Sequence, residues 1–368
     1  MTRLQSMPRH LSRDRPQDPV RPGVTGRPRI GLTMGDPAGI GPEIILKSLA
    51  GPAVFRRCRP ILFGHPGVFN QYLRRLRLPW RLETVDDPER WSVSPGRLPI
   101  VPVFETEEDA GRPSRAMPKP GRLSAAGGRL AARAIEHASA WAQAGHLDAI
   151  TTGPIHKVGL ARAGYPFEGH TEFLAALTGS GHVGMMMIGG GLRIMLATIH
   201  LPIRDLPSRL TPRKILTAIQ LTHRAMRDWF GRPDAAIGVA ALNPHASDQG
   251  RFGDEEARLI APAIARARRS GIRATGPYPA DTLFHRAHRG EFDATVAMYH
   301  DQALIPIKLL AFGRAVNLTV GLPFVRTSVD HGTAYDIAGK GIADPGSLLE
   351  ALQLAAMLAC KSKKRNRD

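Results

Sequence analysis

RIMLATIH (Arg193 to His200) is the stretch that decides the fold, and two others repeat its form: AAIGVAALNPH (Ala235 to His245) and DATVAMYH (Asp293 to His300). Each joins a short hydrophobic run to a histidine at or just past its end. Runs of this length, apolar and bounded by polar residues, glycine or proline, read as buried strands. In open α/β sheets, ligands sit outside the carboxyl ends of strands. Three neutral imidazoles converging there suit a divalent metal with one position open to substrate, as in catalytic zinc sites. A lone histidine at a strand end is more often a hydrogen-bonded structural residue, so on the pattern alone both readings stay open.

Working outward, Arg29 to Met34 reads as a strand, Gly35 to Gly41 as a glycine-rich turn, and Pro42 as part of the first turn of a helix. The turn spells GDPAGIG, which is neither a Rossmann GxGxxG nor a GxxxxGK[ST] loop. It admits two readings, a phosphate cradle at a helix N-terminus and a tight structural turn capped by Asp36. An alanine-rich helix is expected over Leu123 to Ala144, followed by the strand LDAITTGP and a helix start at Ile155. Asp109 to Pro120 reads as loop. Thr211 and Pro212 form an N-cap and first-turn pair, and Glu255 to Arg269 an amphipathic helix. Strands alternating with helices argue for a mainly parallel sheet covered on both faces.

The chain has 368 residues, 43% hydrophobic and 6% aromatic, enough for two domains with substantial cores. No apolar run approaches the roughly 18 residues that span a bilayer, and no secretory signal is visible, so no membrane partner is expected. Cys58 and Cys360 lack metal-ligand spacing and fit a reducing cytoplasm. Fifty Lys+Arg against 32 Asp+Glu give a formal charge of +18. Much of the excess lies in residues 1–28 and in KSKKRNRD at 361–368, which read as disordered basic tails. Met7 is an alternative start. The remaining basic residues are scattered, which favours solvated helix faces over a nucleic-acid groove.

Eight stretches, in order, resemble the 4-hydroxythreonine-4-phosphate dehydrogenase family of pyridoxal 5'-phosphate biosynthesis. They are LTMGDPAGIGPEI (Leu32 to Ile44), TTGPIHK (Thr151 to Lys157), GHTEFLA (Gly169 to Ala175), ATIHLPIRD (Ala197 to Asp205), LNPHA (Leu242 to Ala246), PADTLF (Pro279 to Phe284), AMYHDQALIPIK (Ala297 to Lys308) and the long run Val316 to Pro345. The resemblance implies an isocitrate/isopropylmalate dehydrogenase-like fold of two α/β/α domains with a cleft between them. The expected division is 29–150 with 305–360 for one domain and 151–304 for the other. It also implies a homodimer with a shared active site, NAD, one divalent metal per site (zinc, with cobalt, manganese or magnesium able to replace it) and a small phosphorylated substrate. Carried over by position, the metal ligands are His200, His245 and His300. The substrate residues are His170, Thr171, Lys308, Asn317 and Arg326. The segment DHGTAYDIAGKGIADP resembles a loop that isopropylmalate dehydrogenases place against NAD, which points to His331, Gly332, Asp336 and Ile337. The alternative there is that its glycines only shape a turn. The catalytic base is unassigned, with Asp281 and Asp301 as candidates beside Lys308 and His156.

The chain departs from the family pattern at Ala303 after HDQ and at Ser247 in NPHAS, where glycine is frequent. Related dehydrogenases act on phosphorylated threonate-type acids or cyclic dihydrodiol carboxylates, and those remain alternative substrates. A basic nucleic-acid-binding protein on the same scaffold is the reading from another class, and no base-reading motif supports it.

Overall fold

Strand-length runs of Ile, Val, Leu, Met and Ala, apolar on both faces, pair best in a sheet with cover on both sides. The computed structural model describes residues 26–105 and 117–365. Among them, twelve strands form one sheet: β1 (Arg29–Thr33), β2 (Arg59–Gly64), β3 (Arg81–Thr84), β4 (Arg97–Pro102), β5 (Ala149–Thr152), β6 (Gly184–Gly189), β7 (Leu192–Leu196), β8 (Ile237–Ala240), β9 (Ala274–Tyr278), β10 (Ala294–Ala297), β11 (Val316–Val320) and β12 (Val325–Val329). Their order is β3-β4-β2-β1-β5-β12-β11-β6-β7-β10-β8-β9. The expected α/β fold is present.

The sheet is less uniformly parallel than the alternation of elements suggests. Both outer parts are parallel, but β12–β11, β11–β6 and β6–β7 pair antiparallel. The physical reason is local: β6–β7 and β11–β12 are hairpins with short connections, which force antiparallel neighbours. Through them the sheet runs unbroken from β5 to β7. A hairpin from late in the chain thus fills its centre, and the final helix (Gly346–Arg365) packs behind it.

Each histidine-bearing run forms its strand. β10 pairs in parallel with β7 (Ala297 beside Leu196) and with β8 (Val296 beside Val239), so the three carboxyl ends lie side by side. Beyond β8 the chain turns unusually. His245, Ala246, Ser247, Asp248 and Gln249 all have positive φ, between 46° and 68°. Such a left-handed turn costs roughly 1–2 kcal/mol per non-glycine residue.

The glycine-rich turn is structural. Its central amides are taken: Asp36 N donates to the Pro154 carbonyl (2.9 Å), Gly39 N to the Asp36 carbonyl (3.0 Å) and Ile40 N to the Thr333 carbonyl (3.0 Å). Ala38 N donates to Asp36 Oδ1 (2.9 Å). A Cβ on Gly41 would stand 2.2 Å from the Met34 carbonyl oxygen, so close backbone approach explains the glycine.

Most expected helices form near their expected bounds, including Ala125–Gln143 and Pro212–Asp228 with Thr211 Oγ1 accepting from Lys214 N. The helix expected from Ile155 begins at Lys157. The last helix continues to Arg365, into the stretch read as a tail, because Gly346 to Cys360 lays a buried face on the sheet and the helical backbone winds on past it. Residues 1–25, 106–116 and 366–368, which hold most of the expected N-terminal tail and loop, lie outside the described residues. No described helix is long and apolar enough to cross a membrane.

The helices Ala125–Gln143 and Lys157–Arg162 meet backbone to backbone, since a Cβ on Gly128 would lie 2.0 Å from the Gly159 carbonyl oxygen. Gly128→Ala should therefore destabilise the fold by about 1–3 kcal/mol. Gly181→Ala, with open space around it, should stay within about 0.5 kcal/mol of the parent. Denaturant midpoints measure both.

Candidate active site

His200 follows β7, and His300 is the first residue of the helix His300–Ala311. Their rings are 5.6 Å apart, centroid to centroid. With Ile199, Leu201, Tyr299 and Asp301 they line a cavity of about 340 Å³. His300 Nδ1 is 2.7 Å from Asp301 Oδ1. That contact fixes the ring and leaves Nε2 for a ligand, which is how carboxylates orient metal-binding histidines. Asp301 is thereby committed to His300. The pKa of His200 lies below the usual imidazole value, first through the surrounding protein and then through the charges of Lys157 and His300. The neutral, metal-binding form is favoured.

His245 does not join this pair. Among the described residues, no three His, Cys, Asp or Glu side chains stand close enough to hold a metal ion. The left-handed turn explains this. It carries His245 into solvent, where its ring is 6.3 Å from that of Phe252. Two of the three expected ligands thus converge within one chain and the third is aimed elsewhere. Ser247, one of the two departures from the family pattern, sits in this turn at φ 68°, and its Oγ accepts from Gly250 N at 3.1 Å.

A second group of residues gathers at the centre of the sheet. Arg326 on β12 is only 1% exposed. Its Nη1 donates to Thr319 Oγ1 (2.8 Å) and its Nη2 to Thr152 Oγ1 (2.6 Å), both neutral partners. Its Nε is buried with no partner. Burial pushes the guanidinium pKa down to about 9, and Glu172 offsets that only in part. β11 pairs Thr319 opposite Arg326, and Asn317, two residues away, shares that face. The Asn317 Oδ1 and the His170 Nε2 are also enclosed without partners. His170 is held well below the usual imidazole range by burial and then by the charge of Arg326. Buried polar atoms are rarely left unpaired, and two such atoms beside a guanidinium whose hydrogen-bond partners are neutral mark this group as a candidate binding site. Thr171 follows His170, half-buried at the start of the helix His170–Thr178. Glu172 lies near enough for its charge to act on both Arg326 and His200. Lys308 lies further along the His300 helix, with its ammonium 5.9 Å over the Phe312 ring.

The third group is the loop after β12. His331 Nδ1 lies 3.0 Å from the Gly332 carbonyl oxygen, and its Nε2 is enclosed without a partner. Asp336 is exposed, Ile337 is half-buried, and a Cβ on Gly332 would meet open space. The loop is tied down by residues that sequence reading left without a ligand-site role. Tyr335 Oη donates to buried Asp36 Oδ2 at 2.6 Å, and its ring stacks on His156 at 5.2 Å. Glu43, fully buried, accepts from Ala343 N (2.8 Å) and from Gly341 N (3.2 Å). The signal that marked them was a carboxylate inside an otherwise apolar turn-and-helix segment. Asp281 is exposed in the first turn of the helix Ala280–His288.

Known proteins share this arrangement along nearly the whole chain. The 4-hydroxythreonine-4-phosphate dehydrogenase of Desulforapulum autotrophicum is 45% identical over 333 residues, 90% of this chain and 96% of that protein. The D-threonate 4-phosphate dehydrogenase of Cupriavidus necator is 44% identical over 335 residues, 91% of this chain and 98% of that protein. The crystal structure of 4-hydroxythreonine-4-phosphate dehydrogenase from Klebsiella pneumoniae superposes with a TM-score of 0.81 at 41% identity, covering 90% of this chain and 99% of that one. Residues 56–355 match the family described as pyridoxal phosphate biosynthetic protein PdxA, and the chain belongs to that family.

Proposed function

We propose that the protein is an NAD- and metal-dependent dehydrogenase that oxidises 4-phosphohydroxy-L-threonine and releases carbon dioxide, forming 3-amino-2-oxopropyl phosphate. The observation that carries this reading is the buried Arg326 guanidinium, short of negative charge and ringed by the unpartnered atoms of His170 and Asn317. A substrate bearing phosphate and carboxylate supplies the missing anion. The relatives' names support a phosphorylated hydroxy acid and leave two candidates, since one acts on D-threonate 4-phosphate. That acid is the second reading.

Each residue has a physical task. Arg326, oriented by Thr152 and Thr319, binds an anionic end of the substrate, and Asn317 Oδ1, beside neutral His170, accepts from a substrate hydroxyl or ammonium. Asp301 keeps His300 turned so that Nε2 faces the space shared with His200. The loop His331 to Ile337, held by Asp36 and Tyr335, receives the dinucleotide, with exposed Asp336 available to a ribose hydroxyl. When bound, NAD takes up the hydride and the divalent metal polarises the oxygen on the carbon being oxidised. Two oriented imidazoles fit such a metal, zinc first, but two are fewer than a catalytic zinc site uses.

A second copy of the chain resolves this shortfall. The His300 helix exposes Ile305 (67%) and Leu309 (84%) four residues apart on one face, and Phe312 (81%) is exposed just past its end. An apolar stripe of this kind marks a protein interface. A homodimer closed through it would let outward-facing His245 of each copy meet the His200–His300 pair of the other. We place this dimer in the cytoplasm, where the thiols of Cys58 and Cys360, which form no disulfide, would stay reduced.

NADH absorbance with purified protein, NAD and either 4-phosphohydroxy-L-threonine or D-threonate 4-phosphate tests the assignment. Turnover of the first, abolished by chelation and restored by zinc, is expected; preference for the second selects the alternative reading. Arg326→Lys should lower kcat/KM by roughly tenfold to a hundredfold, the worth of one charged hydrogen bond, because an ammonium cannot present the planar fork. Leu309→Asp should give monomers by analytical ultracentrifugation and lose both tight zinc binding and turnover.

A further inference from the structure

We propose that Glu256 is a positioning residue for His245: it clamps Asn243 so that the left-handed turn keeps the imidazole pointing out of its own subunit. The proposal rests on the reading of His245 as a metal ligand. Glu256 is 3% exposed. Its Oε1 accepts from the backbone N–H of Leu242 (2.8 Å) and of Asn243 (2.7 Å), and its Oε2 accepts from Asn243 Nδ2 at 3.0 Å. The other hydrogen of that amide goes to Glu255 Oε2 at 2.7 Å. Two consecutive carboxylates thus converge on one side-chain amide. The helix begins there with a π-helical turn, Glu256–Ile260, a winding that recurs at functional sites.

The clamp closes the ends of the loop that carries His245. Between Asn243 and Glu255 the chain holds its left-handed residues by short internal bonds, Asp248 N to the His245 carbonyl (3.3 Å) and Phe252 N to the Ser247 carbonyl (3.0 Å). None of the residues from His245 to Gln249 is glycine, so their φ values are uphill for each of them. Such a turn persists only where its surroundings over-determine it. The clamp is also closed to intrusion, since a Cβ on Gly253 would meet Glu255 Oε2 at 2.5 Å and Asn243 Nδ2 at 2.7 Å. Ordinary folding needs neither an exposed histidine nor a strained turn here, whereas presenting a ligand to another subunit needs both.

Cobalt(II), titrated into metal-free full-length protein and followed by its visible absorption, reads the number of imidazoles bound. His245→Ala gives the reference spectrum of the incomplete site. Glu256→Gln sets an amide donor against the Asn243 amide, and Asn243→Ala removes that amide altogether. Both should keep the parent's circular dichroism and dimer mass, take on the His245→Ala spectrum, and weaken cobalt binding by about tenfold to a hundredfold. Glu255→Gln, which disturbs one bond, should do less. Parent-like spectra and affinities in Glu256→Gln and Asn243→Ala would overturn the proposal. So would loss of folding in both, which would make the clamp a general support. If His245→Ala left the parent spectrum unchanged, the metal reading itself would fall, and the clamp with it.

Discussion

A guanidinium enclosed at the centre of a sheet is the constraint around which this molecule is organised. Arg326 keeps its proton near neutral pH, since burial brings its pKa down only to about 9, and its partners in the chain are two threonine hydroxyls. Those hydroxyls satisfy hydrogen-bonding geometry but not charge. The fold therefore carries a standing electrostatic cost, held in place by packing: β12 is buried along its whole length between β5 and β11. An anion that binds there relieves the cost only in the folded state, so it stabilises the protein by mass action. The late hairpin β11–β12 is also what joins the two parallel parts of the sheet. The proposed substrate recognition and the integrity of the sheet would thus depend on the same strands.

Much of the architecture was legible in the sequence because it follows from hydrophobic periodicity. RIMLAT, AIGVA and DATVA are apolar over strand length and bounded by polar residues, and their adjacency in the sheet brings the carboxyl ends together. What the pattern cannot say is which way the chain leaves a strand. His200 and His300 leave so that their rings meet. His245 leaves into a left-handed turn that nothing in PHASDQ announces, because five successive non-glycine residues there adopt φ values that propensity disfavours. The determinant lies downstream, in carboxylates of what reads from sequence as an ordinary amphipathic helix.

The glycine-rich turn shows the opposite case. GDPAGIG has the composition of a phosphate cradle, and composition alone leaves that open. Its amides are spent on the carbonyls of Pro154 and Thr333 and on Asp36 itself, so its glycines serve close packing against the loop after β12. Asp36 then has a second task, accepting from Tyr335. A carboxylate in the glycine-rich turn thereby steadies a loop about three hundred residues later, a long-range pairing that no local reading predicts.

Dividing the proposed metal site between two subunits would have a physical consequence. If the two ligands of one copy bind weakly alone, a monomer cannot hold the ion tightly, and assembly becomes a condition of activity. The device needs three elements: a preset pair, a ligand prevented from folding back onto it, and an apolar face that sets the distance between copies. In the proposed dimer, His200 with His300, the clamped His245 turn, and the stripe Ile305, Leu309 and Phe312 would supply them from separate parts of the chain. The strain in the turn is then not a defect. A relaxed loop would let His245 sample its own subunit, and the ordering entropy of bringing it back would fall on metal binding.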